Sequence, residues 1–233
     1  MFRVRLALTI GLVLSALTAG TESRAQTPLW TEVTNPPAPR TSPGFAYDSA
    51  RGRMVLFGGY YGQGGSKYFG DTFEWDGSTW TRLNVTGPSI RGDLATAYDS
   101  KRGRTVMFGG WNTNDTLGDT WEWDGATWTQ VNVAGPAGRY GHTLVFDNLL
   151  NRSVLFGGCK TNAIFGDTWE WDGSAWTQTA TTGPSIRFDQ AAAYDTSRGQ
   201  MVLFGGGNGA FASYRDTWEY HRRVPAFRSP DAQ

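Results

Sequence analysis

Arginine is the residue type whose spacing in this chain first suggests chemistry. Four arginines, Arg40, Arg91, Arg139 and Arg187, recur at intervals of 51, 48 and 48 residues. A guanidinium group binds a carboxylate or phosphate through paired hydrogen bonds. Their recurrence has two interpretations: a binding surface to which every repeat contributes one arginine, or an ion pair that belongs to the frame of each repeat.

Residues that commonly perform catalysis or bind metals are sparse. The chain has two histidines, His142 and His221, in different parts of different repeats, and a single cysteine, Cys159. One cysteine excludes an intrachain disulfide, and we favour a buried thiol over a nucleophile or an interchain bridge. The motifs of serine hydrolases, zinc proteases, P-loops, dinucleotide sites and EF-hands do not occur. We therefore expect no catalytic residues, no metal and no cofactor.

The elements that carry these residues repeat with the arginines. Phe57, Phe108, Phe156 and Phe204 keep the same separations, and a period near 50 residues is typical of a propeller or solenoid. Each repeat contains four short segments rich in β-branched and aromatic residues, bounded by turn signals, and no helical periodicity. In the first repeat these predicted strands cover 44–48, 53–59, 71–75 and 80–85, with copies in the later repeats.

The turns between these segments support a β-sheet in every repeat. The turn after the first strand has Gly52, Gly103, Asn151 or Gly199 at its penultimate position, which predicts a positive φ. Asp-Gly pairs such as Asp76-Gly77 predict tight hairpins between the third and fourth strands. The doubled glycine after the second strand predicts a bulge or a close approach of two backbones.

The FGG ending, the aromatic-Asp pair before it and the tryptophan about 20 residues after it resemble kelch repeats over residues 30–220. The resemblance implies an all-β fold: a β-propeller of four-stranded blades, with a frame similar to the central domain of galactose oxidase. It does not extend to the copper site of that enzyme, because the required histidines, tyrosines and cross-linked cysteine have no counterpart. We expect four blades, at about 40–86, 91–134, 139–182 and 187–221.

Recurring side chains are predicted to build the frame, and divergent loops to bind ligand. Tryptophans such as Trp121 and Trp123 are assigned to packing between blades rather than to sugar stacking. Glu74, Glu122, Glu170 and Glu219 are expected to meet an arginine or backbone N–H groups, or else to face solvent. The loops between second and third strands share one face with the arginines, and loops on a rigid scaffold often bind ligands. The predicted binding residues on this loop face are Arg40, Arg91, Arg139, Arg187, Tyr60, Tyr61, Trp111, Phe165 and Tyr214.

Residues 1–25 have the order of a secretory signal peptide: two early arginines, a short apolar run and Ser-Arg-Ala before Gln26. The alternative, a membrane anchor, needs about 20 apolar residues. We expect a secreted or periplasmic product with a propeller over 26–222 and a polar tail over 223–233. Without residues 1–25 the net charge is −2, with no basic block, which makes nucleic acid an unexpected partner.

The fourth repeat has no fourth strand of its own, whereas residues 29–34 carry a Trp-Thr pair 10 residues before Arg40. In the other repeats the equivalent tryptophan lies 11 residues before the next arginine. We therefore expect Leu29–Thr34 to pair with the strand at Asp216–Tyr220 and to close the ring. A longer array cut at the same register, or a homodimer that shares one ring of eight blades, would explain the same pattern.

The favoured function is an exported, non-catalytic scaffold that binds a protein or carbohydrate through the loop face, as a monomer or a ring-sharing homodimer. A sugar-modifying enzyme of the epimerase or lyase type and a fragment of a larger cell-surface repeat protein are the alternatives.

Overall fold

The computed structural model describes residues 29–62, 67–180, 182–209 and 213–221. The chain divides into the units Met1–Glu32 and Val33–Gln233, and all of the strands lie in the second unit. Within the described residues there is no helix, and the secondary structure is entirely β. The expectation of an all-β fold is confirmed.

The strands of the first two repeats follow the expected order. The first repeat contains β1 (Gly44–Asp48), β2 (Arg53–Phe57), β3 (Tyr60–Tyr61), β4 (Lys67–Tyr68), β5 (Thr72–Trp75) and β6 (Trp80–Leu83). The second contains β7 (Ala95–Asp99), β8 (Arg104–Phe108), β9 (Thr120–Trp123) and β10 (Trp128–Val131).

The third and fourth repeats differ in the number of strands. The third contains β11 (Thr143–Asp147), β12 (Arg152–Phe156), β13 (Cys159–Lys160), β14 (Ala163–Ile164), β15 (Thr168–Trp171) and β16 (Trp176–Ala180). The fourth contains β17 (Ala191–Asp195), β18 (Gln200–Phe204) and β19 (Thr217–Tyr220).

These strands form four antiparallel sheets, the blades of a four-blade β-propeller. The orders are β1-β2-β5-β6, β7-β8-β9-β10, β11-β12-β15-β16 and β17-β18-β19, and the pairs β3-β4 and β13-β14 are two short ribbons on the loops. The first strands of consecutive blades, β1, β7, β11 and β17, lie side by side and are innermost. The loops after the second strands therefore emerge together on one face.

The core lies between the blades. Each internal interface combines apolar residues of one second strand with those of the next, as Val55 and Phe57 pack with Met107 and Trp123 between the first two blades. Trp123 and Trp171 are each exposed by only 1%. The assignment of these tryptophans to packing between blades is confirmed, because alternating residues of one strand face the two neighbouring sheets.

The turn predictions are also confirmed. Gly52, Gly103 and Gly199 have φ of 65°, 66° and 67°, and Asn151 has φ of 53°. The doubled glycine permits a close backbone approach, since a Cβ on Gly58 would lie 2.5 Å from the carbonyl oxygen of Arg91. This contact fixes the start of one blade against the end of the second strand of the preceding blade.

The predicted closure of the fourth blade by the N-terminal strand is wrong for a single chain. Leu29–Thr34 is assigned to no strand, and Leu29 and Trp30 are 86% and 101% exposed. The fourth blade has three strands in the described part of the chain, so β19 lies at its edge. The Trp-Thr pattern predicts a strand from local sequence alone, whereas a strand exists only once it is paired with a neighbouring strand.

Candidate functional site

The repeated arginines are the anchors of the loop face. The Nη1 of Arg139 donates to the carbonyl oxygen of Gly157 (2.9 Å) and to Oδ1 of Asp167 (2.6 Å), and Nη2 donates to Oδ2 of Asp167 (3.1 Å). The Nε donates to the carbonyl oxygen of Ala137 (3.0 Å). One guanidinium thus ties three segments of backbone together through its fixed fork of donors.

The other repeats use the same arrangement. Arg40, Arg91 and Arg187 pair with Asp71, Asp119 and Asp216. Burial alone raises the pKa of the Asp167 carboxyl, but the hydrogen bonds from Arg139 and Trp169 outweigh it and hold the pKa below its usual range. The carboxylate is therefore ionised at neutral pH, and each pair is a charged, bidentate contact.

Burial decides between the two interpretations of the arginines. Arg91 is 1% exposed, and Arg139 and Arg187 are fully buried. A ligand on the loop face has no access to these guanidinium groups, so they belong to the frame. This burial supports the frame interpretation for Arg91, Arg139 and Arg187 over the predicted binding role.

Two of the predicted aromatic residues stack on the guanidinium groups of these arginines. Phe165 stacks on the guanidinium of Arg139, whose Cζ lies 4.0 Å from the ring centre, and Tyr214 stacks on Arg187 at 4.2 Å. Both rings are half-buried. They cover the arginines on the loop side, where cation–π attraction adds to the ion pairs.

The residue that follows each doubled glycine pairs with the segment that leads into the first strand of a blade. Tyr60 forms a β-bridge with Thr41, Trp111 with Gly92, and Cys159 with Tyr140. The Trp111 and Tyr140 rings lie 5.6 Å apart. The structure thus brings Tyr60 and Trp111, two of the predicted binding residues, to the inner rim of the loop face, whereas Tyr61 points outward and is 56% exposed.

Two aspartates at this rim were not predicted from the sequence. The second residue after each frame arginine forms an inner backbone ladder, in which the N–H of Asp93 donates to Ser42 (3.0 Å), that of Gly141 to Asp93 (3.1 Å), and that of Asp189 to Gly141 (2.8 Å). Asp93 and Asp189 have φ of 53° and 55°, a left-handed conformation that aspartate tolerates better than most residues. Gly141 stands between them, and a Cβ there would lie 2.7 Å from Oδ1 of Asp189.

The electrostatics of these aspartates differ from those of the frame. Burial raises the pKa of Asp93, against a hydrogen bond from Ser42, and burial and the charge of Asp93 raise the pKa of Asp189. Burial, Cys159 and the two aspartates also raise the pKa of Tyr140 to about 12. In the described part of the chain, neither carboxyl has an ion-pair partner. We call Asp93, Asp189, Tyr60, Trp111 and Tyr140 the central cluster: an acidic, aromatic rim with negative charge that the protein does not neutralise.

Comparison with known families agrees with this architecture. The family model of the KLHDC2/KLHL20/DRC7 Kelch-repeats domain matches residues 20–183 and, in an overlapping match, residues 78–230. The chain belongs to the kelch-repeat family. No curated protein matches the chain. In the described part of this kelch propeller, no helix is long and apolar enough to cross a membrane.

Cys159 and His142 are built into the interior of the kelch propeller, whereas His221 is exposed. Cys159 is 4% exposed, and burial raises the pKa of its thiol, which confirms the interpretation as a buried cysteine. His142 is 6% exposed and packs on the Phe108 ring; burial and the charge of Arg139 lower its pKa to about 3. Among the described residues, no group of three or more His, Cys, Asp or Glu side chains is arranged to hold a metal ion.

The recurring glutamates also take part in ion pairs within the frame. Arg51 pairs with Glu74 (2.6 Å), and Arg102 pairs with Glu122 (2.5 Å). The expectation that these glutamates meet an arginine is confirmed in the first two blades. The third blade has Leu150 in place of the arginine, and there the hydroxyl of Tyr220 donates to Glu170.

Proposed function

We propose that this kelch propeller is an exported, non-catalytic scaffold that binds a protein partner through its loop face, and that the group it receives there is a lysine or arginine side chain. The observation that carries this proposal is the central cluster. It places two carboxyl groups, on either side of Gly141, beside the half-buried rings of Tyr60, Trp111 and Tyr140.

Physical chemistry favours a cationic ligand at such a rim. Burial, and then repulsion from Asp93, raises the pKa of Asp189 in the free protein, and a bound cation relieves that repulsion. It also gains from the faces of Tyr60 and Trp111, because aromatic rings attract ammonium and guanidinium groups. An anionic ligand would meet the same carboxylates without access to the buried arginines, and would be repelled.

The direct test is a binding assay on an array of short peptides that each carry one lysine or arginine in a Gly/Ser background. The strongest binder is then measured against wild type, the double variant Asp93→Asn/Asp189→Asn, and the control Asp115→Asn. Asp115 is an exposed carboxylate on a loop of the same face, outside the central cluster.

We expect the double variant to lose about tenfold or more in affinity, equivalent to about 1.4 kcal/mol, and the control to bind as wild type. Affinity should rise with pH as the two carboxyls ionise. Equal affinities of the double variant and the control, or tighter binding by the double variant, would contradict the cationic site.

Carbohydrate is the second candidate ligand class, and variants of the central cluster can test whether the protein modifies it. Carboxyls with raised pKa beside a tyrosine are an arrangement that suits proton transfer as well as binding. A sugar epimerase or lyase would turn over an oligosaccharide and lose that activity in Asp93→Asn, whereas a scaffold releases every oligosaccharide unchanged.

The proposal of export is supported by the order of residues 1–25, and N-terminal sequencing of exported material tests it. We expect a start at or near Gln26; an exported protein that retains Met1 contradicts it.

A further inference from the structure

A tryptophan socket recurs at the interfaces between the blades. The Nε1 of Trp128, on the fourth strand of the second blade, donates to the hydroxyl of Thr72 (2.9 Å) on the first blade. Its ring meets the edge of Phe57 at 5.3 Å and lies against Gly87, where a Cβ would be 2.7 Å from the indole. A threonine, a phenylalanine and a glycine of one blade thus receive the indole of the next.

The second interface contains the same socket. The Nε1 of Trp176 donates to Thr120 (2.9 Å), its ring meets Phe108 at 5.3 Å, and a Cβ on Gly135 would lie 2.6 Å from it. The chemistry of the socket is therefore a property of the repeat rather than of one pair of blades.

The third interface has the socket without the tryptophan. Phe156, Thr168 and Gly183 hold the equivalent positions, and they line a cavity of about 200 Å³ beside Tyr220. A Cβ on Gly183 would meet nothing within 4 Å, in contrast to Gly87 and Gly135. Residues 221–233 contain no tryptophan that could supply the indole.

The chain does carry a matching segment at its other end. Trp30-Thr31 repeats the Trp-Thr pair that begins β6, β10 and β16, and Trp30 is 101% exposed. Within one chain this segment forms no strand. In every internal interface the strand that supplies the indole leads directly into the first strand of the following blade. A copy whose residues 29–34 fill the socket would therefore place its own first blade beside the fourth blade of its neighbour.

The two blade faces that this would bring together match each other. On the fourth blade, Phe204 is 54% exposed, although Phe57 and Phe108 are buried at the internal interfaces. Glu219 is exposed, whereas Glu74 accepts a hydrogen bond from the Nε1 of Trp123 (3.1 Å) on the next blade. The first blade offers the counterparts of the tryptophans: Trp75 for Glu219 and Trp80 for Phe204.

A further pair of positions shows the same complementarity. A Cβ on Gly125 would lie 2.8 Å from the guanidinium of Arg51, and one on Gly173 would lie 2.5 Å from that of Arg102, because each arginine packs on the hairpin of the next blade. The equivalents are Arg198, whose side chain is 70% exposed, and Gly77, which has nothing within 4 Å. The arginine and its receiving hairpin are present at opposite ends of the array.

We propose that a second copy of this chain docks head to tail on the fourth blade. Residues 29–34 of the second copy pair with the edge of β19 and insert Trp30 into the cavity formed by Phe156, Thr168 and Gly183. The first blade of the second copy covers Phe204 and Glu219. Strand addition at a free edge supplies backbone hydrogen bonds, and the indole socket supplies specificity. Two chains that dock in this way at both ends form a closed ring of eight blades.

The test measures the mass of the full chain by sedimentation over a range of concentrations. We expect the wild type to form a dimer. The dissociation constant of the dimer should rise by about tenfold or more in Trp30→Ala, because a tenfold change corresponds to the loss of a modest contact. The control is Tyr61→Ala, which removes an exposed ring from the loop face and leaves the dimer intact. A wild type that stays monomeric at every concentration overturns the proposal.

A peptide identifies the socket itself. The peptide TPLWTEVT, copied from residues 27–34, is titrated into the full-length Trp30→Ala protein, whose own segment lacks the indole. We expect saturable binding that is lost when the tryptophan of the peptide is replaced by alanine, and lost again in a protein that also carries Gly183→Leu. Binding that is independent of the tryptophan, or unaffected by Gly183→Leu, overturns the assignment of the cavity.

Discussion

The buried arginine anchor of Arg139 and the aspartate pair of the central cluster are only two residues apart in the repeat, yet they behave in opposite ways. Arg139 is fully buried, with Asp167 as its ion-pair partner. Asp93 and Asp189 occupy positions that are serine or glycine in the other repeats, and burial raises the pKa of both. In this propeller the charges that recur in every repeat hold the loops, and the proposed ligand site lies at charges that differ between repeats.

The largest expected effect is on the recurrent side of this comparison. Arg139→Ala leaves the Asp167 carboxylate without its cation and the carbonyl oxygens of Ala137 and Gly157 without the guanidinium donor. We expect a loss of about 3 kcal/mol in the free energy of unfolding, at the lower end for a broken buried pair because the Asp167 side chain is 20% exposed. Urea denaturation of the purified variant measures it.

The matched control for this variant is Arg82→Ala. The Arg82 side chain is 71% exposed, with its Nε 3.9 Å from Asp71. Its removal should change the stability by less than about 0.5 kcal/mol. Similar losses for Arg82→Ala and Arg139→Ala would mean that the arginine anchors do not carry the frame.

The second largest expected effect is on the pH dependence of stability, through His142, which lies beside Arg139 in the frame. Its pKa is about 3 in the folded protein and 6.5 in the unfolded chain, so between these values only the unfolded chain takes up the proton. The contribution of the neutral histidine to stability is complete above pH 6.5 and is lost as the pH falls toward 3. At pH 5 the loss is about 2 kcal/mol.

His142→Gln should remove this acid sensitivity. Glutamine is the natural residue at the equivalent position of the fourth repeat, where the Nε2 of Gln190 donates to the carbonyl oxygen of Phe156 (2.9 Å). We expect the thermal midpoint of the variant to fall less than that of wild type between pH 7 and pH 5. Parallel curves for the two proteins would show that His142 does not titrate on unfolding.

The strands and turns could be predicted because their signals are local. The positive φ at Gly52 and at Asn151 follows from the residue type alone. The partner of Arg139 could not be chosen on local grounds, since Asp167 lies 28 residues away, although both recur with nearly the same period. The repeated spacing of the aspartates was the available signal for these ion pairs.

The central cluster and the open fourth blade were harder to predict. Asp93 and Asp189 occur in two repeats of four, and only the backbone ladder through Gly141 brings them together. For residues 29–34, the pattern predicted a strand paired with Asp216–Tyr220, and the structure of one chain forms neither the strand nor the pair. Pairing depends on which edge lies within reach, and that is a property of the whole array.

The smallest expected effect on stability, and the sharpest for the comparison, comes from Asp93→Asn/Asp189→Asn. Because their folded pKa values are raised, the ionised carboxylates oppose folding at neutral pH, and this cost disappears as the pH falls below their unfolded values. The double variant should therefore be at least as stable as wild type at pH 7, with a smaller difference at pH 4. Urea denaturation at the two pH values measures this sign. A loss of stability at pH 7 similar to that of Arg139→Ala would place the aspartates in the frame, and the division between charges that hold the loops and charges that await a ligand would fail.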